Sequence, residues 1–342
     1  MAVDGLIVGT SSPAGEFSDY WTRSRKRLDR ELERRVPEIF GPYGGVELGA
    51  VLRAVDGGKR IRGCLVLLMC NALGGTAESA TLSAVAVECI QAASLMHDDY
   101  IDGDRVRRNQ PAGWVVDGSR RAVLVGDVMF ATVIEWMSED NPEKGALIAG
   151  TIANMARGAY IEQSDSMAIA AACEGAPYEY SADRYETIVR LKTAELFAAA
   201  GKLGAIAAAA PVTLQRNAFE FGICVGEAYQ LSDDLEDTLK RFDDAVTDKQ
   251  ALVEITPVML RFSPDTSGGL RSLNSGGFEA LRAWVAAQRG VVVERVTETI
   301  VSHAARAESL LAPLPDSAFK RMLFEMPAAI TRRGPGELQD RA

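Results

Sequence analysis

Residues 88–108 read ECIQAASLMHDDYIDGDRVRR, and this stretch decides the fold. Leu82, Val85, Ala86, Cys89, Ile90, Ala93 and Met96 recur in the three-then-four rhythm of a helix face turned to a core, which predicts a helix over 77–101. On the same wheel Gln91, Ser94, Asp98 and Asp102 fall at i, i+3, i+7 and i+11. This second stripe ends in two carboxylates one turn apart, with Asp99 beside them. Like charges one turn apart repel by about 0.2–0.5 kcal/mol, so three carboxylates here call for a cation or for full solvation. Their oxygens are the hard donors that suit Mg2+. A calcium loop of EF-hand type fails on spacing, because its twelfth position counted from Asp98 needs Glu and holds Asn109. Taken alone, the run also fits a solvated acidic helix end.

A second copy of the pattern separates these readings. In residues 222–237, GICVGEAYQLSDDLED, the stripe Gly222, Gly226, Gln230, Asp233, Asp237 again runs at helical spacing into two carboxylates, with Asp234 adjacent. Two DDxxD clusters, each closing a long apolar helix and each preceded by Gln, predict a carboxylate cage that clamps Mg2+ against a diphosphate. Cations for such a substrate recur nearby: Lys59, Arg60 and Arg62 in GGKRIR, Arg105, Arg107 and Arg108 in RVRR, Lys192 beside Thr193, and Lys249. Arg presents a planar fork to phosphate oxygens and Lys a compact point charge.

Apolar positions recur at helical spacing almost everywhere, so the chain reads as all-α. Helices are expected at 17–36, 46–56, 60–73, 77–101, 119–139, 142–172, 182–200, 202–210, 214–240, 245–262, 277–311 and 316–332. No break is long enough for a domain linker, which predicts one helical domain over 17–334 between a flexible N-terminal tail, 1–16, and a C-terminal tail, 335–342. The 342 residues carry a net charge of −10, which argues against broad capture of nucleic acid or of an anionic membrane and leaves any anionic ligand to be held locally.

The five cysteines form no CxxC pair and sit in apolar segments, which fits buried thiols in a reducing, cytoplasmic setting. Only two histidines exist, His97 and His303, too few for a histidine-rich metal site. The N-terminal residues match no signal peptide. The alanine-rich run 196–212 is interrupted by Lys202, so no transmembrane segment is expected there.

The chain resembles the trans-isoprenyl diphosphate synthase family, the polyprenyl synthetases. The likeness runs from GGKRIR at 57–62 through HDDYIDGDRVRR, VLVGD at 123–127, YETIVRLKTAELF at 185–197 and YQLSDDLED to LPDSAFKRML at 314–323. It implies the isoprenoid synthase fold, a helical bundle around a central cavity, and Mg2+-dependent condensation of isopentenyl diphosphate with an allylic diphosphate. By this resemblance Asp98, Asp102 and Asp233 ligate Mg2+, with Asp99, Asp234 and Asp237 in support. Arg107, Lys192, Thr193, Gln230 and Lys249 would hold the allylic diphosphate, and Lys59, Arg62, Gln91 and Arg108 isopentenyl diphosphate. A homodimer is likewise implied by the resemblance.

Three departures from the family pattern stand out. Gly63 occupies the proline position after GGKR, Trp114 replaces a His, and the usual GK before Lys249 is missing, with Lys240 or Arg241 as substitutes. Ala93 and Ser94 are small where a bulky aromatic stops growth at farnesyl, so a longer product, geranylgeranyl diphosphate, is expected. Trp136, beyond the stripe Asp127, Phe130, Ile134 and Met137, would be the floor. Competing readings are a longer-chain polyprenyl synthase, a class I terpene cyclase, which carries an Asn/Ser/Glu motif in place of the second DDxxD, and a non-catalytic subunit of a heteromeric synthase.

Overall fold

The computed structural model describes residues 15–41, 48–244 and 248–331. The tails expected at 1–16 and 335–342 lie outside the described residues, except that 15 and 16 open the first helix. In chain order the elements are α1 (Gly15–Phe40), α2 (Leu48–Val55), α3 (Ile61–Ala72), α4 (Ala77–Ile101), β1 (Val106–Arg107), β2 (Gln110–Pro111), α5 (Gly113–Asp117), α6 (Ser119–Asp140) and α7 (Pro142–Ala172). There follow α8 (Arg184–Ile188), a π-helical turn (Val189–Ala194), α9 (Glu195–Ala207), α10 (Val212–Asp244), α11 (Lys249–Phe262), α12 (Thr266–Arg271), a second π-helical turn (Ser272–Gly276), α13 (Gly277–Leu310) and α14 (Ala318–Thr331). The all-α reading holds.

The chain divides into two compact units. The first comprises residues 1–152, 196–221 and 310–342. Its centre is α3, apolar on all sides and buried from Cys64 through Cys70, packed on α4. The Thr76 side chain caps α4 by accepting from Ser79 N, 3.3 Å. Among the described residues α4 is the one helix long and apolar enough to cross a membrane, and 72% of that window is buried inside the protein.

The second unit comprises residues 153–195 and 222–309. Its core joins Ile169, Tyr178, Tyr185 and Val189 to Leu252, Met259 and Leu260 of α11 and to Leu281, Trp284 and Val292 of α13.

The helices expected at 77–101 and 142–172 have those same bounds. Three local expectations are corrected. The break expected between 200 and 202 is absent and α9 runs through it, because Gly201 lets the α10 backbone approach: a Cβ there would lie 2.2 Å from Ala218 O. The plain turn expected over 109–118 contains a hairpin and α5, and that over 263–269 contains the start of α12. The hairpin pairs Val106 with Pro111 and Arg107 with Gln110, and its two loop residues, Arg108 (φ 52°) and Asn109 (φ 60°), have the positive φ values of a type I′ turn.

Candidate functional site

In the first unit the aspartate-rich run closes α4. Asp98 is half-buried and Asp102 exposed, one turn apart on the stripe. Asp99 is buried and engaged: Arg107 donates to its Oδ1 from Nε at 2.7 Å and again from Nη2. Burial pushes the Asp99 carboxyl up, against the pull of Arg107. Burial works against the Arg107 charge too, but the bond to Asp99 and the charges of Asp99 and Asp104 hold that guanidinium above its ordinary value.

Of the residues expected to bind isopentenyl diphosphate, Lys59, Arg62 and Arg108 lie around the start of α3. Lys59 precedes Arg60 on the loop into α3 and Arg62 is the second residue of that helix, where it lies over the Phe197 ring, 4.3 Å from its centroid. Arg108, at the hairpin tip, donates to Asp56 O and so ties the tip to the same loop. Burial, then the neighbouring Arg60 charge, pushes the Arg108 guanidinium down. Gln91 is on α4 and half-buried. Arg60 itself is 4% exposed and bonded to Asp29, Val55 O and Glu88, a structural cation rather than a substrate contact.

Trp114, the residue in the His position, donates its indole N–H to Asp104 O at 2.7 Å. It also packs against Tyr100 and under Arg105, so it fastens the loop after the aspartates. Ala93 is fully buried, and Ser94 Oγ turns back to Gln91 O at 3.0 Å. Trp136 on α6 is half-buried.

In the second unit the second run lies on α10. Asp234 accepts from Tyr185 Oη and from Gln230 Nε2, the latter at 2.7 Å, and Thr193 Oγ1 donates to Gln230 Oε1 at 2.6 Å. Thr193, Gln230, Asp234 and Tyr185 thus form one chain of hydrogen bonds. Burial pushes the Asp234 carboxyl up to about 6, with the bonds from Tyr185 and Gln230 opposing and the Asp233 charge adding to the rise. Burial and the Asp234 charge push the Tyr185 phenol well up, so it stays the donor. Asp233 is half-buried, and Asp237 is exposed, 3.8 Å from Lys240.

Lys192 and Thr193 sit on the π-helical turn, a widened backbone geometry frequent at functional sites. Glu162 of α7 accepts from Lys192 Nζ, and Glu174 accepts from Lys249 Nζ at 2.7 Å. The proposed substitutes for the missing GK are engaged as well: Lys240 pairs with Glu236 at 2.6 Å, and Arg241 with Glu254.

No three His, Cys, Asp or Glu side chains gather closely enough to hold a metal among the described residues, and Asp99 and Asp234 have the partners named above. The donor chemistry still fits Mg2+, which is held by one or two carboxylates together with substrate phosphate oxygens rather than by an all-protein cage. Sequence reasoning missed Glu88, Glu162 and Tyr185. Each is a single residue on a helix, and no spacing rule announces its partner.

The chain matches the polyprenyl synthetase family over residues 48–256 and belongs to that family. It is 36% identical over 211 residues to heptaprenyl diphosphate synthase component 2 of Geobacillus stearothermophilus, covering 61% of this chain and 62% of that protein. It is 33% identical over 201 residues to a short chain isoprenyl diphosphate synthase of Methanothermobacter thermautotrophicus, covering 57% of each. These two matches span less than two thirds of the relatives' own length. A third relative, nonaprenyl diphosphate synthase of Mycobacterium tuberculosis, is 29% identical over 334 residues, 94% of each chain.

Among solved structures, a polyprenyl synthase from Caulobacter crescentus CB15 complexed with calcium and isoprenyl diphosphate aligns with a TM-score of 0.73 at 24% identity, over 96% of this chain and 100% of that one. Geranylgeranyl pyrophosphate synthetase from Pyrococcus horikoshii Ot3 aligns with a TM-score of 0.72 at 22% identity, over 93% and 100%. The fold is that of the isoprenoid synthases.

Proposed function

We propose that the protein is a Mg2+-dependent trans-prenyltransferase that condenses isopentenyl diphosphate with an allylic diphosphate, with geranylgeranyl diphosphate as product. The observation that carries this reading is the duplicated DDxxD, in a polyprenyl synthetase whose Lys59, Arg62 and Arg108 lie around the start of α3. The calcium and isoprenyl diphosphate named for the Caulobacter structure support a divalent ion and this substrate class.

Asp98, Asp102 and Asp233 would be the metal ligands, with Asp99, Asp234 and Asp237 in support. Bound magnesium would neutralise the departing diphosphate and so favour cleavage of the allylic C–O bond. Arg107, Lys192, Thr193, Gln230 and Lys249 would hold that diphosphate. Lys192 and Lys249 would do so by exchanging Glu162 and Glu174 for phosphate oxygens. Lys59, Arg62, Gln91 and Arg108 would hold isopentenyl diphosphate with its double bond against the allylic carbon. One C–C bond forms as the C–O bond breaks, and the proton lost from the isopentenyl unit passes to the released diphosphate. Apolar walls must exclude water from the cationic carbon.

The relatives' names span farnesyl, geranylgeranyl, heptaprenyl, nonaprenyl and decaprenyl products, so chain length must come from this chain's own residues. Ala93 and Ser94 leave room beyond farnesyl, and Trp136 would close the cavity. Incubation with Mg2+, isopentenyl diphosphate and primers of increasing length, followed by mass analysis, should yield geranylgeranyl diphosphate. Ser94→Phe should shorten the product by at least one isoprene unit, and an unchanged product would remove the chain-length argument.

A homodimer is carried over from the family resemblance, and size-exclusion chromatography with light scattering would test it. The name of the Geobacillus relative, a component, favours one second reading, a heteromeric synthase; activity that arises only on mixing with a partner chain would select it. Buried thiols support a cytoplasmic setting.

A further inference from the structure

We propose that Glu88, through Arg60 and Gly63, is a positioning residue that sets the junction of loop and α3 carrying Lys59 and Arg62, and thereby governs affinity for isopentenyl diphosphate. The inference rests on the reading of Lys59 and Arg62 given above.

The first N–H groups of a helix have no partner within it. At α3 the residue before the helix is Arg60, which stands at φ 57° and supplies no side-chain cap. Glu88 supplies it instead from α4: its Oε1 accepts from Gly63 N at 2.8 Å. A carboxylate at a helix N-terminus is also favoured by the helix dipole. The other oxygen, Oε2, lies 3.5 Å from Arg60 Nη1. Both side chains are buried, Glu88 at 5% and Arg60 at 4% exposure.

Arg60 then fixes the loop from the other side. Its Nε donates to Asp29 Oδ1 at 2.8 Å and its Nη2 to Val55 O at 2.5 Å. Trp21 Nε1 donates to Lys59 O at 2.8 Å. A left-handed backbone is costly for a residue with a side chain, and it persists where the surroundings over-determine it. Arg60 meets that condition, and the residues it turns are Lys59 before it and Arg62 two places after.

Gly63 belongs to the same device. A Cβ there would lie 2.9 Å from Leu28 Cδ1 and 3.0 Å from both Cγ and Oε1 of Glu88. A proline, the residue the family pattern has at this place, would also lack the N–H that Glu88 accepts. In this chain Gly63, with its N–H and no Cβ, fits the buried carboxylate. A buried ion pair is weak evidence of stabilisation, because desolvation can exceed the attraction. Orientation of the loop is the role that the geometry supports.

The test uses the full-length enzyme and three variants, Glu88→Gln, which keeps an acceptor for Gly63 N, Glu88→Ala, which removes it, and Gly63→Ala, which presses on the same carboxylate. Steady-state KM for isopentenyl diphosphate and for the allylic primer are measured beside kcat, with circular dichroism and melting curves as the check on folding. Expected is a rise in the isopentenyl diphosphate KM of about tenfold or more for Glu88→Ala and a smaller rise for Glu88→Gln and Gly63→Ala, with the primer KM and kcat within about twofold.

Folded Glu88→Gln and Gly63→Ala proteins with an unchanged isopentenyl diphosphate KM would overturn the inference, as would equal shifts for both substrates. Loss of folded protein in all three variants would make the network a requirement of the fold and overturn it too. A wild-type enzyme that does not consume isopentenyl diphosphate would overturn the functional reading itself, and this inference with it.

Discussion

The two DDxxD runs share a sequence pattern and differ in what holds their middle acid. On α4 Asp99 meets a cation, Arg107, from the hairpin that follows the run. On α10, among the described residues, Asp234 meets only neutral donors, Tyr185 from α8 and Gln230 one turn earlier. Burial raises both carboxyls, but at Asp99 an opposing charge counters it, whereas at Asp234 hydrogen bonds alone do so and the group reaches about 6. In both runs the middle acid is tied to the protein, and the outer acids occupy the stripe, Asp98 with Asp102 and Asp233 with Asp237. The motif therefore specifies which carboxylates are oriented by the fold as much as which could bind a metal.

The largest effect should come from the outer acids. Asp98→Asn or Asp233→Asn should each lower kcat by about 10²–10³-fold, the range for removing one group that stabilises developing charge, measured as diphosphate release at saturating Mg2+. If only one of the two runs responds, the runs are not equivalent.

Next in size, Arg107→Gln leaves a buried carboxylate without its cation and should cost about 2 kcal/mol of stability, read by chemical denaturation. Tyr185→Phe removes one neutral donor and should cost about 1 kcal/mol. Equal losses would erase the distinction drawn between the runs.

A further effect concerns pH. A carboxyl raised from about 4 when unfolded to about 6 when folded binds more protons in the folded state between those values. Its contribution to stability therefore falls as pH rises across that window. In metal-free protein the stability of wild type relative to Asp234→Asn should decline from pH 4 to pH 6 and level off above. A flat difference would show that Asp234 titrates normally.

How far the sequence revealed these features depended on periodicity. The core stripe of α4 and the apolar run of α7 fixed both helices to the residue, because each face repeats over many turns. Gly201 misled, since its small size serves a close approach of Ala218 rather than a break. The hairpin at 106–111 is too short to carry a period, and its turn uses Arg108 where a glycine or asparagine would have signalled it.

At the candidate site, the aspartates and basic residues proposed to bind metal and diphosphate were picked out by type and spacing. Their partners were not: Glu88 lies on the buried side of an apolar helix, and Tyr185 and Glu162 reach their partners from distant segments. Long-range pairings of single residues leave no local pattern.

The most direct test is diphosphate release from isopentenyl diphosphate and an allylic primer, followed as Mg2+ is removed by a chelator and restored. The account predicts that turnover falls to background on chelation, returns with Mg2+, and is absent at any Mg2+ concentration in the doubly substituted Asp98→Asn, Asp233→Asn protein. Turnover that persists in chelator, or that survives the double substitution, would contradict it.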